Sequence, residues 1–341
     1  MADAFLQLSF EDRREALHTA VGRSGKPAHL LEKDVWVVWA LATLYGSPLG
    51  EHLVFKGGTS LSKVYNVIHR FSEDVDLTYD IRAFAPDLVG EDGNVLPPTR
   101  SEEQKWTNTI RDRLPAWLSE TVKPVLERAL AAEHLAALVR VEGDKIFIDY
   151  EATSTGSGYI TPGVMLEFGA RSTGQPASHH GVICDAAGFV GEVLFPTARP
   201  LVMHAERTFW EKATAIHVFC LQEKLQARRF SRHWHDIVRL DDSGYAEKAF
   251  ADRALGLSVA QHKKIFFREK AKGQVIAYEA AINGQLCLTP TGDGYKALEE
   301  DYALMVQDRF LPGNSEGFDA LIARCADIAR KANSPKTETG L

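Results

Sequence analysis

The run FKGGTSLSKVYNVIHRFSEDVDLTYD occupies residues 55–80. Two adjacent glycines, Gly57 and Gly58, stand between an apolar run and a helix-like run, and two carboxylates, Asp74 and Asp76, follow one residue apart. HLVFKGG reads as a short buried strand entering a turn, TSLSKVYNVI as a helix with a Thr or Ser cap, and VDLTYD as a second strand. This order of strand, glycine turn, helix and strand suits either a plain turn with a solvated strand behind it or a site for a charged ligand.

The chemistry of the residues favours testing the second reading. Adjacent glycines let the backbone approach a ligand closely, and the amides opening a helix favour an anion such as phosphate. Gly57, Gly58, Thr59 and Ser60 fit that role, although the spacing of a Walker A loop is absent. On a strand, Asp74 and Asp76 share one face, about 7 Å apart at the backbone. Like charges so close repel unless a cation lies between them, and a hard divalent ion such as Mg²⁺ or Mn²⁺ suits carboxylates completed by phosphate oxygens. A strand with one solvated acidic face is the bland alternative.

A third acid strengthens the case for a cation. Glu167 lies in the apolar run GVMLEFGAR, where an unpartnered carboxylate is costly. Beside the Asp74 strand it would complete a three-carboxylate set suited to in-line displacement at phosphorus. Asp149, in IFIDY, is the rival for that place. Arg70 precedes the pair and either neutralises it or meets a phosphate.

Working outward, residues 6–22 and 30–45 carry apolar residues at helical spacing. Residues 85–99 form a Pro-, Gly- and Asp-rich loop. Residues 106–132 read as helical, with breaks at Pro115 and Pro124. DKIFIDYEAT and GVMLEFGARS read as strands joined by the hairpin loop TSTGSGYITPG, giving a small mixed sheet with residues 75–80. FVGEVLFPTARP is a further strand candidate. From residue 203 the pattern is helical, interrupted at NGQLCLTPTGDG. RRFSRHWHD concentrates Arg228, Arg229, Arg232, His233 and His235, a basic cluster that suits a triphosphate, an RNA backbone or an exposed helix start.

With 341 residues, 45% hydrophobic and 25% charged, the chain has the composition of a globular protein long enough for two domains. Its net charge of −7 excludes a global basic field for nucleic acid and leaves only local patches. The opening MADAFLQLSFEDRREAL is charged from its third residue and reads as neither signal peptide nor membrane anchor, implying the cytoplasm. Cys184, Cys220, Cys287 and Cys325 form no CxxC pair and read as reduced structural thiols. His179 and His180 lack a ligand-spaced partner.

The joint pattern KGGTSLSK, HRFSE and DVDL resembles the GG[ST]-x-n-DxD signature of polymerase-beta-type nucleotidyltransferases. More closely it resembles the AbiEii/AbiGii toxin family of type IV toxin–antitoxin and abortive-infection systems. EKDVWVVWAL is similar to that family's N-terminal helix, ERTFWEKATAIH to its lysine-bearing third motif, and RHWHDIVRL to its fourth, with His235 where Tyr is usual. The resemblance runs over residues 32–240. It implies that Gly57, Gly58 and Thr59 or Ser60 hold nucleotide phosphates, that Asp74 and Asp76 bind Mg²⁺, and that Glu167 is the third acid or base. It further implies that Lys212 contacts phosphate or acceptor and that Asp236 orients Lys212 or the nucleotide. Without it, Lys212 reads as a solvated helix lysine and Asp236 as a helix-start acid.

The expected fold is therefore α/β (α+β), a polymerase-beta-type nucleotidyltransferase core with a small mixed sheet (residues 1–200). A helical C-terminal domain (201–333) and a disordered tail (334–341) follow. The implied reaction is Mg²⁺-dependent transfer of a nucleoside monophosphate from an NTP to an RNA (tRNA) or protein acceptor by a toxin with a cognate antitoxin. An antibiotic-type nucleotidyltransferase shares the same core, and a nucleotide-binding regulator would bind NTP without turnover.

Overall fold

The computed structural model describes residues 3–70, 74–90, 93–154, 163–222, 228–307, 310–311 and 315–334. Residues 155–162 of the expected hairpin loop and 335–341 of the expected tail lie outside them. The chain divides into two compact units. The first comprises Met1–Val64, Ser72–Val95 and Thr99–Met203, and the second Tyr65–Phe71, Leu96–Pro98 and His204–Leu341. A linear division after residue 200 does not foresee the grouping of Tyr65–Phe71 with the helical unit. Arg70 supplies a reason, because its guanidinium is buried on Asp236.

The first unit is built on a seven-stranded mixed sheet. In chain order the strands are β1 (Leu53–Lys56), β2 (Asp74–Tyr79), β3 (Ala137–Glu142), β4 (Lys145–Tyr150), β5 (Val164–Gly169), β6 (Ala177–His179) and β7 (Leu201–Met203). Their spatial order is β3-β4-β5-β2-β1-β7-β6, with β2/β5 and β1/β7 parallel and the other pairs antiparallel. Alternation separates the two faces of the sheet. Val75, Leu77, Ile146, Ile148, Val164, Leu166 and Phe168 are buried, while Asp74, Asp76, Lys145, Asp149 and Glu167 lie half-buried on the other side.

The mixed sheet also takes in β3, β6 and β7, and a two-residue hairpin joins β3 to β4. Its turn is Gly143-Asp144, with Gly143 at φ +62°.

Helices α1 (Phe10–Ser24) and α2 (Ala28–Tyr45) agree in type with the apolar periodicity. Most of α2 is buried, and Trp36 stacks on Tyr150 with ring centroids 5.0 Å apart. Glu32 on α2 accepts the Thr153 amide through both oxygens, at 2.9 and 3.1 Å. Helix α3 (Gly57–Lys63) is shorter than expected and starts at the glycines, without a side-chain cap. Pro115 does not break α4 (Arg100–Trp117), because a π-helical turn at Leu118–Val122 carries the chain into α5 (Lys123–Ala132). Pro124 sits in the first turn of α5, where its missing amide costs little.

The second unit is helical: α6 (Ala205–Leu221), α7 (Arg232–Asp242), α8 (Tyr245–Ala251), α9 (Arg253–Phe266), α10 (Asp293–Gln307) and α11 (Phe318–Asn333). Its core includes Phe209, Trp210, Phe219 and Trp234. The indoles find partners, Trp234 Nε1 donating to the Leu288 carbonyl at 2.7 Å and Trp210 Nε1 to that of Ala249 at 3.1 Å. Asp301 on α10 accepts from the Ser231 amide and hydroxyl at 2.9 and 2.6 Å, fixing the entry to α7. Among the described residues no helix is long and apolar enough to cross a membrane. All four cysteines are free.

Candidate active site

Register brings the acids of the first unit together. Asp76 pairs with Glu167 across β2 and β5, Glu167 with Lys145 across β5 and β4, and Asp76 with Lys56 across β2 and β1. Residues opposite one another in a ladder share a face, so Lys145, Glu167, Asp76 and Lys56 form one row, with Asp74 two residues along β2 on the same face. Lys145 Nζ lies 3.2 Å from Glu167 Oε2. Burial lowers the Lys145 ammonium, but Glu167, with Asp144 and Asp74, outweighs it and raises it overall.

The topology sets Glu167 and Asp149 apart. Asp149 lies one strand farther from Asp76, and Arg140 Nε holds its Oδ2 at 2.5 Å. Glu167 is the acid adjacent to the aspartate strand.

The glycine turn meets the same carboxylates. Gly57 has φ +77°, and a Cβ built on it would fall 1.9 Å from Asp76 Oδ2, so the Asp76 carboxylate lies where any other residue would put its side chain. Thr59 Oγ1 donates to the Asp74 carbonyl at 2.5 Å and Ser60 Oγ to the Gly57 carbonyl at 2.9 Å. Both residues are buried. The Thr59 hydroxyl thus ties the turn to β2 and the Ser60 hydroxyl closes the turn on itself, both through main-chain carbonyls.

A buried ion network fixes the far end of α3. Lys63 Nζ contacts Asp34 at 2.6 Å and Asp185 at 2.7 Å, and Asp34 also accepts the Asp185 amide at 2.6 Å. Burial raises Asp34 in spite of Lys63. Asp185 resists burial through Lys63 and Lys26 and is lowered. Burial opposes the Lys63 charge, yet the two carboxylates raise its affinity for a proton. Helix α2 thereby positions the helix that carries the glycines.

The donors suit a divalent ion in chemistry and in placement: hard oxygens on one face of a rigid sheet, beside a backbone free of Cβ. Among the described residues, however, no three His, Cys, Asp or Glu side chains converge as a cation cage. The arrangement fits a cation held by one or two carboxylates and completed by substrate phosphates, rather than a closed protein cage.

In the second unit, Asp236 is fully buried between two cations. Arg70 grips it through Nε–Oδ1 and Nη2–Oδ2 bonds, each 2.7 Å, and Lys212 Nζ lies 2.9 Å from Oδ2. Burial would raise the Asp236 carboxyl, but Arg70 and then Lys212 hold it well below the usual carboxylate range. Burial lowers Lys212 against the pull of Asp236, and Arg70 and Arg232 add to the lowering. Lys212 is thus a desolvated amine beside a carboxylate, not the solvated helix lysine of the plain reading.

Arg70, expected at the acidic pair or on a phosphate, directs its fork at Asp236. His233 Nδ1 is buried without a hydrogen-bond partner. Burial, reinforced by Lys212 and Arg232, lowers His233 well below the usual range.

Lys145 and Lys56 were not foreseen. The alternation of KIFID puts Lys145 and Asp149 on one face, which sequence can supply, but only pairing places Lys145 against Glu167.

A glycine turn lies against an aspartate strand with Glu167 in register, and the family that the chain matches makes it a nucleotidyltransferase. The chain matches the family described as nucleotidyl transferase AbiEii toxin, type IV TA system, over residues 39–324, and belongs to it. Among solved structures it is similar to JHP933 from Helicobacter pylori, at 14% identity and a TM-score of 0.42, over 90% of this chain and 93% of that one. It is also similar to MenT4, a nucleotidyltransferase toxin from Mycobacterium tuberculosis, at 16% identity and a TM-score of 0.40, over 96% and 100%. No curated protein matches the chain.

Proposed function

We propose that this toxin-family nucleotidyltransferase acts in the cytoplasm, transferring a nucleoside monophosphate from an NTP to a hydroxyl of RNA, tRNA among its candidates, or of a protein, with Mg²⁺ as the supporting ion. The observation that carries the reading is the pairing of Asp76 with Glu167, with Asp76 resting on the Cβ-free Gly57. Asp74 and Asp76 would hold the cation, which when bound supplies charge neutralisation at phosphate and eases ionisation of the acceptor.

The acceptor oxygen forms the new bond to the α-phosphorus, the bond from that phosphorus to the bridging oxygen breaks, and pyrophosphate leaves with that electron pair. Glu167 takes the acceptor proton. Gly57 and Gly58 give the phosphates access to main-chain amides, while Thr59 and Ser60 hold the turn in shape. Within the second unit Asp236 orients Lys212, the resemblance's candidate for contacting phosphate or acceptor, and Arg70 fixes Asp236. A cognate antitoxin restrains the activity, as the family implies.

The test uses purified protein, Mg²⁺, each NTP labelled in turn at its α- or γ-phosphate, and bacterial RNA with or without cell protein. The reading expects α-label on a macromolecule and none from the γ-position. NTP binding with no transfer would favour a regulator, and label confined to small molecules an antibiotic-type enzyme.

A further inference from the structure

The acidic face carries a cation of its own. Lys145 opens β4 directly opposite Glu167, its ammonium 3.2 Å from Oε2. Its backbone is fixed on both sides, paired with Glu142 on β3 and with Glu167 on β5, and the preceding Asp144 carbonyl accepts the Phe168 amide at 2.9 Å. A ladder position of this kind fixes where the stem starts. Both partners are partly exposed, 35% for the lysine side chain and 42% for the glutamate, so the ammonium remains in reach of solvent ions.

A divalent ion and this ammonium compete for one carboxylate. A metal on Glu167 Oε2 must displace Lys145, one on Oε1 meets the ammonium at close range, and any metal on Asp74 and Asp76 feels the repulsion of a unit charge held beside the neighbouring strand. We propose that Lys145 is a positioning residue that reserves Glu167 for the acceptor. It keeps the third acid out of the metal's ligand set, so that the aspartates hold a single cation and the Glu167 carboxylate stays directed. The inference rests on the reading of Asp74 and Asp76 as the cation site.

Repulsion between a divalent ion and a unit charge about 7 Å away in a solvent-like medium corresponds to a factor of roughly five to ten in affinity at low ionic strength, where the titration is run, and about two to three at about 0.1–0.15 M salt. The experiment is a Mn²⁺ titration of the full chain, followed by the electron paramagnetic resonance signal of free Mn²⁺. The proteins compared are wild type, Lys145→Gln, Lys145→Met, Lys145→Arg and Asp76→Ala. Both neutral variants are expected to bind Mn²⁺ about five- to tenfold more tightly and to take up a second equivalent, and Lys145→Arg to behave as wild type. Structural damage would weaken binding, so tightening is not a consequence of misfolding.

Equal or weaker binding in both neutral variants, with circular dichroism melts unchanged, overturns the role of Lys145 and leaves the aspartate site standing. Equal Mn²⁺ binding by wild type and Asp76→Ala, or none by wild type, overturns the cation site itself and this inference with it.

Discussion

The space that a side chain at Gly57 would occupy is filled by the carboxylate of Asp76, whose Oδ2 would lie 1.9 Å from a Cβ there. Gly57→Ala therefore meets two obstacles, a left-handed φ of +77° and a clash with a candidate metal ligand. The backbone obstacle alone costs about 1–2 kcal/mol. The variant should lose transfer activity and melt at lower temperature. Adding Asp76→Ala should restore part of the stability and none of the activity. Gly181→Ala, in open space, should match wild type, and thermal melts of these proteins together with the Asp76→Ala single variant check the non-additivity.

Removing the charge of Asp236 should damage the second unit more than any surface substitution. Asp236→Asn leaves Arg70 and Lys212 buried against a neutral amide, a loss of about 3–5 kcal/mol by analogy with broken buried pairs. Because its folded-state proton affinity is depressed, the contribution of Asp236 is present above the unfolded carboxylate range and is lost as pH falls through the lower folded value. Urea unfolding should show the deficit at neutral pH narrowing in strong acid. A deficit of equal size at both pH values would contradict this account.

These two relationships mark how far the sequence could be read. The strand, glycine turn and DxD strand were legible because Gly57, Asp74 and Asp76 lie within twenty residues and alternation fixes their face. The candidates for a third acid narrow to two in sequence, and only the parallel pairing of β2 with β5 shows that Glu167 is the one beside Asp76, since register across about ninety residues leaves no trace in local pattern. The hidden member was Arg70: nothing near it in sequence announces that its partner is 166 residues away. Thr59 and Ser60 read as ligand holders from their place after the glycines at a helix start, and only the structure shows that main-chain carbonyls accept both hydroxyls.

Histidine sets a milder pH dependence. Burial lowers His217 to about 4, and its Nδ1 accepts the Cys287 amide at 3.1 Å. The unfolded chain takes up this proton first as pH falls, so the contribution is full above about pH 6.5 and is lost between 6.5 and 4. It amounts to a change on the order of 3 kcal/mol. Unfolding of wild type should therefore depend more steeply on pH across that window than unfolding of His217→Gln, as urea titrations at pH 7.5 and pH 4.5 would report.

The central claim is most directly tested by transfer of α-phosphate label from NTP to macromolecules by wild type and Asp76→Ala, with both proteins first shown to share one circular dichroism spectrum. The account predicts label with wild type, dependent on added Mg²⁺, and a loss of at least a hundredfold in the variant. Undiminished transfer by well-folded Asp76→Ala would contradict it.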